Sequence, residues 1–220
     1  MHKYIIMGAQ GCGKGTQSQL LKSAYDLVHI SVGEIFRAQI ESRTKLGARI
    51  RRFVNDGQLV PDEIVEEIVR RRLDEHDWNF GFILDGFPRN RPQAVFFLEN
   101  YDVDAVIYIE VPHDVVLRRL LSRRLCSRCG LDYNLIYHRP AVADVCDVCG
   151  GELVQRPDDS EKAVAARLKD FYAKTEPILE LFRQKELVIT VDGTGSQQDV
   201  HAAISTQLAA GRSRLHPSSE

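Results

Sequence analysis

Gly8-Ala-Gln-Gly-Cys-Gly-Lys-Gly-Thr16 directly follows the apolar run Tyr4-Ile5-Ile6-Met7. A short buried strand that empties into a glycine-rich loop ending in lysine is built to hold phosphates. Glycines let the backbone curl so that successive N–H groups point inward at an anion. A helix starting near Lys14 adds its positive N-terminal end. Lys14 itself supplies a mobile ammonium for outer phosphates. The spacing Gly8-x4-Gly13-Lys14 fits the general phosphate-loop pattern, except that Gly15 stands where that pattern has Ser or Thr, and Thr16 follows one place later. The alternative is a ligand-free turn, but a lysine flanked by glycines has little structural purpose.

Outward from this loop, five apolar runs read as strands: Lys3–Met7, Leu27–Ile30, Phe82–Leu84, Ala105–Glu110 and Leu187–Val191. None alternates strictly, as expected of strands covered on both faces of a parallel sheet. Helical patterns fill the gaps at Gly15–Ala24, Val32–Ser42, Leu46–Asp56, Pro61–Leu73, Arg91–Glu99, Pro112–Arg124, Ser160–Arg183 and Gln197–Ala210. The alternation predicts an α/β fold, a doubly wound parallel five-stranded sheet with helices on both faces and ligands at the carboxyl ends of its strands. Two segments interrupt it: 31–61 carries two short helices, and 124–159 carries short strands and cysteines. Each exceeds a plain loop. The expected organisation is a core of 1–30, 62–123 and 160–212, inserted subdomains at 31–61 and 124–159, and a flexible polar tail at 213–220.

Composition narrows the function. A chain of 220 residues, 44% hydrophobic and 27% charged, is ordinary for a soluble globular protein. A net charge of −2 gives no global basic footprint for nucleic acid. No apolar stretch approaches a membrane span, and the first strand begins too early for a signal peptide. A reducing cytoplasm is the expected home. Four of the five cysteines form two pairs, Cys126-x2-Cys129 and Cys146-x2-Cys149, separated by 16 residues and each followed by glycine. That spacing suits a four-thiolate zinc site; two disulfides or free thiols are the alternatives. The fifth, Cys12, reads as a small filler in the loop rather than a nucleophile.

With these pieces in place, the chain resembles the nucleoside monophosphate kinases, and among them the long-lid adenylate kinases with a zinc-bearing lid. The resemblance rests on Gly8–Gln17, His29-Ile-Ser-Val-Gly-Glu-Ile-Phe-Arg37, Gly57-Gln-Leu-Val-Pro-Asp62, Asp85-Gly-Phe-Pro-Arg89 with Gln93, and Arg119, Arg123 and Arg124. It continues through the cysteines, Arg156-Pro-Asp-Asp159, Arg167 and Val191-Asp-Gly193. It implies reversible transfer of the terminal phosphoryl group of ATP to AMP, giving two ADP, with magnesium and a structural zinc. It further implies a monomer that engages neither nucleic acid nor membrane.

Residue by residue, the resemblance places the donor nucleotide at Gly11, Cys12, Gly13, Lys14, Gly15, Thr16, Arg119, Arg123, Asp132, Tyr133 and Gly195. It places the acceptor at Val32, Arg37, Gln58, Leu59, Val60, Gly86, Phe87, Pro88, Arg89, Gln93, Arg156 and Arg167. Catalysis falls to Lys14, Asp85, Arg89, Arg123, Arg156 and Arg167, with Asp85 orienting magnesium through water and Arg119 over the donor base. Zinc falls to Cys126, Cys129, Cys146 and Cys149. Asp158 and Asp159 are expected to cap the helix at Ser160, to pair with lid arginines, or both.

Three positions depart from the family pattern. Gln10 replaces a proline in the phosphate loop, Glu34 an aspartate, and Val32 a threonine beside the acceptor base. Valine keeps threonine's shape but loses its hydroxyl. That loss relaxes discrimination without inverting it, and the Gln93 amide, able to read an adenine edge, keeps AMP first. A UMP/CMP kinase or a GTP-using AMP kinase is the rival within the class. A nucleic-acid-binding zinc ribbon on an ATPase is the rival outside it. The ribbon's arginines favour that rival; its Asp132, Asp144, Asp147 and Glu152, and exposed aromatics confined to Tyr133 and Tyr137, count against it.

Overall fold

The structure is a computed structural model and describes residues 2–156 and 159–215, with side chains as far as 211. Along the chain run β1 (Lys3–Met7), α1 (Lys14–Tyr25), β2 (Leu27–Ser31), α2 (Val32–Glu41), α3 (Lys45–Asn55) and α4 (Asp62–Asp74). Then come β3 (Gly81–Asp85), α5 (Arg91–Asn100), β4 (Ala105–Glu110), α6 (His113–Leu121), β5 (Arg123–Cys126), β6 (Asp132–Asn134) and β7 (Leu153–Val154). The chain closes with α7 (Glu161–Asp170), α8 (Leu179–Arg183), β8 (Val188–Asp192) and α9 (Gln197–Leu215).

Five strands form one parallel sheet in the order β2-β3-β1-β4-β8. Register aligns Ile30, Leu84, Ile5, Val106 and Val188 in one row across it. Four of those five side chains are buried. Helices cover both faces, so β1 buries Tyr4 through Met7 without alternation. Burial of such a side chain stabilises the fold by about 1.5–3 kcal/mol, and the apolar cluster is continuous from β1 to Leu208 of α9. Successive strands leave β1 toward opposite edges, which opens a crevice at its carboxyl end.

Local chemistry fixes the helix starts. Ser31, Thr44, Asn90 and Ser160 each accept a backbone N–H three residues on, capping α2, α3, α5 and α7. Helix α1 has no side-chain cap; it starts from Gly13 at φ 103°.

Two expected helices end differently. The helix expected over Pro112–Arg124 stops at Leu121. The Ser122 hydroxyl donates back to Arg118 O at 2.8 Å, ties to Asn134 Oδ1 at 3.0 Å, and Arg123 opens β5. The single helix expected over Ser160–Arg183 is broken: a π turn at Phe171–Thr175 and a 3-10 turn at Glu176–Ile178 separate α7 from α8. Pro177 accounts for much of this, because it lacks the N–H a continuous helix needs and crowds the preceding turn. Helix α9 continues to Leu215, beyond the expected end at Ala210; residues 216–220 of the expected tail lie outside the described residues.

Strands β6-β5-β7 form a separate antiparallel sheet. Its buried cluster is Cys126, Tyr133, Cys146 and Leu153, a core too small to hold a domain by apolar burial.

Candidate active site

The phosphate-type loop joins β1 to α1 at the crevice. Gly8, at φ 146°, is required there: a Cβ would lie 2.5 Å from Ile109 O. At Gly13 and Gly15 a Cβ would meet nothing within 4 Å, so the loop faces open space along its inner curve. Lys14 folds over the loop, its Nζ donating to Gly8 O at 2.6 Å and Ala9 O at 2.9 Å. An uncapped helix start, a curled loop and an ammonium thus meet at one point, the arrangement that binds phosphate. Cys12 is buried against Gly8, in keeping with a filler.

Cationic side chains gather around this point from other elements. Arg119, on α6, donates to Cys12 O at 3.3 Å, and its guanidinium lies 5.1 Å from the Tyr137 ring centre. Arg123, at the start of β5, grips the fully buried Asp159 carboxylate with Nε at 2.8 Å and Nη2 at 2.5 Å. Arg167, on α7, donates to Val54 O at 3.0 Å and stands 3.8 Å from the same carboxylate. Arg37 lies against Gly33, and Arg89 against Gly86, where it donates to Gly86 O at 2.9 Å. Asp85 ends β3 with the His29 imidazole 3.7 Å away. Burial raises the Asp85 carboxyl, but His29, Lys14 and Arg89 lower it more, and it rests below the ordinary carboxylate value.

Every residue expected to touch a nucleotide lines one cleft of about 670 Å³. The donor set (Gly11 to Thr16, Arg119, Arg123, Asp132, Tyr133, Gly195) and the acceptor set share it. The acceptor wall is Val32, Arg37, Gln58, Leu59, Val60, Gly86, Phe87, Pro88, Arg89 and Gln93, with Arg156 and Arg167 between the two. Seven cations reach the cleft: Lys14, Arg37, Arg89, Arg119, Arg123, Arg156 and Arg167. Four carboxylates accompany them: Glu34, Asp85, Asp132 and Asp170. In a chain of net charge −2 this excess is local, and it selects anionic ligands.

The four cysteines of the small sheet converge, their sulfurs all within 4.8 Å of one another. The Cys126–Cys149 and Cys129–Cys146 separations are 3.4 and 3.6 Å, near the roughly 3.8 Å edge of a tetrahedron of thiolates bound to one metal. None is bridged, which removes the disulfide alternative. Gly130 and Gly150, at φ 74° and 68°, make the turns after each pair. The Tyr133 hydroxyl, 3.5 Å from Cys146 Sγ, brings that thiol down to about 6.

Tyr133 is also a correction. It is not an exposed aromatic: it is 2% exposed, stacked on His138 with ring centres 5.0 Å apart, and its oxygen accepts the Asp147 N–H. Its ring edges the cleft while its hydroxyl serves the cysteines. Gln10, which stands in place of the family's proline, reaches a distant partner. Its Nε2 donates to Asp159 Oδ1 at 2.9 Å, joining the phosphate loop to the Arg123 partner. Asp159 pairs with both arginines while Ser160 alone caps α7; Asp158 lies outside the described residues. Thr175, in the π turn, was not singled out by sequence; it lines the cleft and donates to Arg89 O at 2.7 Å. No local pattern marks it.

Comparison with known proteins identifies the family. A family model described as adenylate kinase matches residues 6–187. The chain is similar to the adenylate kinase of Clostridium tetani, 42% identical over 94% of this chain and 98% of that protein. It is similar to that of Acetivibrio thermocellus at 39%, with the same coverage, and to that of a Geobacillus species at 43% over 89% and 92%. The matched span runs from the phosphate loop through the acceptor wall and the cysteine sheet to Arg167, and on this evidence the chain belongs to the adenylate kinase family.

Proposed function

We propose that the chain catalyses reversible phosphoryl transfer, ATP + AMP = 2 ADP, in its cationic cleft. The convergence of Lys14 and six arginines on one cavity with two walls carries the reading. Phosphoryl transfer is in-line displacement, so the protein mainly positions two nucleotides and neutralises charge spreading over the transferred group. No protein nucleophile is required.

In this reading Lys14 and the loop amides hold the donor phosphates. Arg123, Arg156 and Arg167 surround the transferred group, and Arg37 and Arg89 hold the acceptor phosphate. The guanidinium fork suits bidentate contact with phosphate oxygens. Magnesium would enter with ATP and offset phosphate charge, and Asp85 would help to orient it. Its depressed pKa keeps it anionic for that purpose. Arg119 covers the donor base, and Val32 and Gln93 border the acceptor base.

Residues 124–159 act as the lid that excludes water, a competing acceptor. Zinc on the four thiolates holds the lid together and leaves no open coordination position for chemistry. Residues 31–61 form the acceptor subdomain. Unbridged thiols suit a reducing cytoplasm, and a monomer holds both nucleotide subsites within one chain.

A coupled assay with ATP and a panel of AMP, CMP, UMP and GMP tests the reading. AMP is expected to give the highest kcat/KM, with measurable leakage because Val32 lacks a hydroxyl. A higher value with CMP overturns the acceptor assignment, and inactivity with every monophosphate overturns the reaction.

A further inference from the structure

We propose that Asp62, which does not line the cleft, locks the amide of Gln93 in one orientation and thereby sets the acceptor pocket against 6-keto purines. This deepens the reading of the acceptor site above and rests on it. Gln93 is 1% exposed on α5 and borders the cleft. Its Oε1 accepts the Arg89 backbone N–H at 2.8 Å. Its Nε2 donates to Asp62 Oδ1, at the first turn of α4, at 2.7 Å.

Both partners are one-way. A backbone N–H only donates, and a carboxylate only accepts. Rotating the amide by half a turn would set N–H against N–H and oxygen against carboxylate in a buried place. The carboxylate is itself fixed, because Asn90 Nδ2 donates to the same oxygen at 2.8 Å. Asn90 in turn is held as the cap of α5, its Oδ1 accepting the Gln93 N–H at 3.0 Å.

A carboxamide has two N–H groups and two acceptor positions, and these contacts use one of each. One donor and one acceptor remain for a base. Adenine offers an amino donor beside a ring-nitrogen acceptor, the complement of such a pair. In the same pose a 6-keto purine places its oxygen where the amino group was, against the Gln93 oxygen. A free glutamine would answer by flipping, and Asp62 together with the Arg89 N–H prevents it. Discrimination then comes from a repulsion built into the site rather than from added affinity for adenine.

The test compares AMP with inosine monophosphate, in which the C6 amino donor becomes a keto acceptor and the neighbouring N1 acceptor becomes an N–H donor. Steady-state kinetics at saturating MgATP are run on the wild type and on Asp62→Leu, which fills the same space but accepts no hydrogen bond, leaving the Arg89 N–H as the remaining constraint on the Gln93 amide. The ratio of kcat/KM for AMP over inosine monophosphate is expected to fall about tenfold, the scale of one bidentate base contact. The fall combines a loss with AMP and a gain with the keto nucleotide, while the KM for ATP stays unchanged. Asp62→Ser, too short to hold the amide, is expected to lower the same ratio and serves if the leucine variant lacks a cooperative melt. Equal losses with both acceptors, or an unchanged ratio, overturn the lock and leave Asp62 a structural residue. A wild type that does not discriminate the two also overturns it. A wild type inactive with AMP sinks the reaction assigned above, a separate result.

Discussion

The five-stranded sheet and the cysteine sheet are held by opposite means. In the first, a continuous apolar cluster runs from Tyr4 to Leu208, and no polar contact is needed to explain its order. In the second, four buried residues, two of them cysteines, do not make a core. On the reading proposed above, a metal ion shared by the four thiolates would supply what apolar burial does not. The difference teaches that the proposed lid can be stabilised independently of the sheet that carries the phosphate-type loop. A lid joined to the main core by apolar packing could not move without disturbing it.

Metal removal should break the comparison most sharply. Structural zinc contributes roughly 10–16 kcal/mol in small zinc peptides. Chelation is therefore expected to strip amide-exchange protection from residues 123–154 while β1 and β4 keep theirs. Cys146→Ser is expected to lower metal content and melting temperature yet largely spare turnover at low temperature. Simultaneous loss of protection in both sheets would mean that the two are one cooperative unit. Full metal content with no turnover would mean that the metal is not structural.

A core truncation should give the next largest effect, confined to the other region. Phe82→Ala, at a fully buried position of β3, is expected to cost about 3–5 kcal/mol in denaturant unfolding without altering metal content. Metal loss in that variant would show that the sheets are coupled. The smallest expected effect lies at the junction. Gln10→Met removes the hydrogen bond from the phosphate loop to the Asp159 carboxylate, worth about 1.5–3 kcal/mol. It is expected to shift the KM for ATP several-fold and to lower the melting temperature less than Phe82→Ala does. An unchanged KM for both nucleotides would show that loop and lid hinge act separately.

How much of this was legible depended on the range of the forces involved. The strand, loop and helix around Gly8–Thr16 follow from neighbours in sequence, and all five main strands were located within a residue or two at each end. The cysteine cluster was legible because metal spacing is a local rule. The arginines converge as the family resemblance implied, although charge alone would not have separated Arg123 from the solvated Arg70-Arg71-Arg72 run. What escaped was set by distant partners. Gln10 meets Asp159 across 149 positions, and Gln93 meets Asp62 across 31. Tyr133 reads as a surface aromatic until Cys146 and Asp147 fold back onto its hydroxyl.

The π turn at Phe171–Thr175 carries one surplus residue relative to an α-helical course. One residue is about 100° of helical rotation, so this insertion sets the azimuth of everything downstream. Shortening the chain by one position there would swing Ile178, Leu179 and Phe182 away from the apolar cluster they now fill. It would also withdraw Thr175 from the Arg89 carbonyl. The segment therefore constrains chain length as strictly as residue type, and a single-codon deletion there should be tolerated far less well than one in the loop after Leu135.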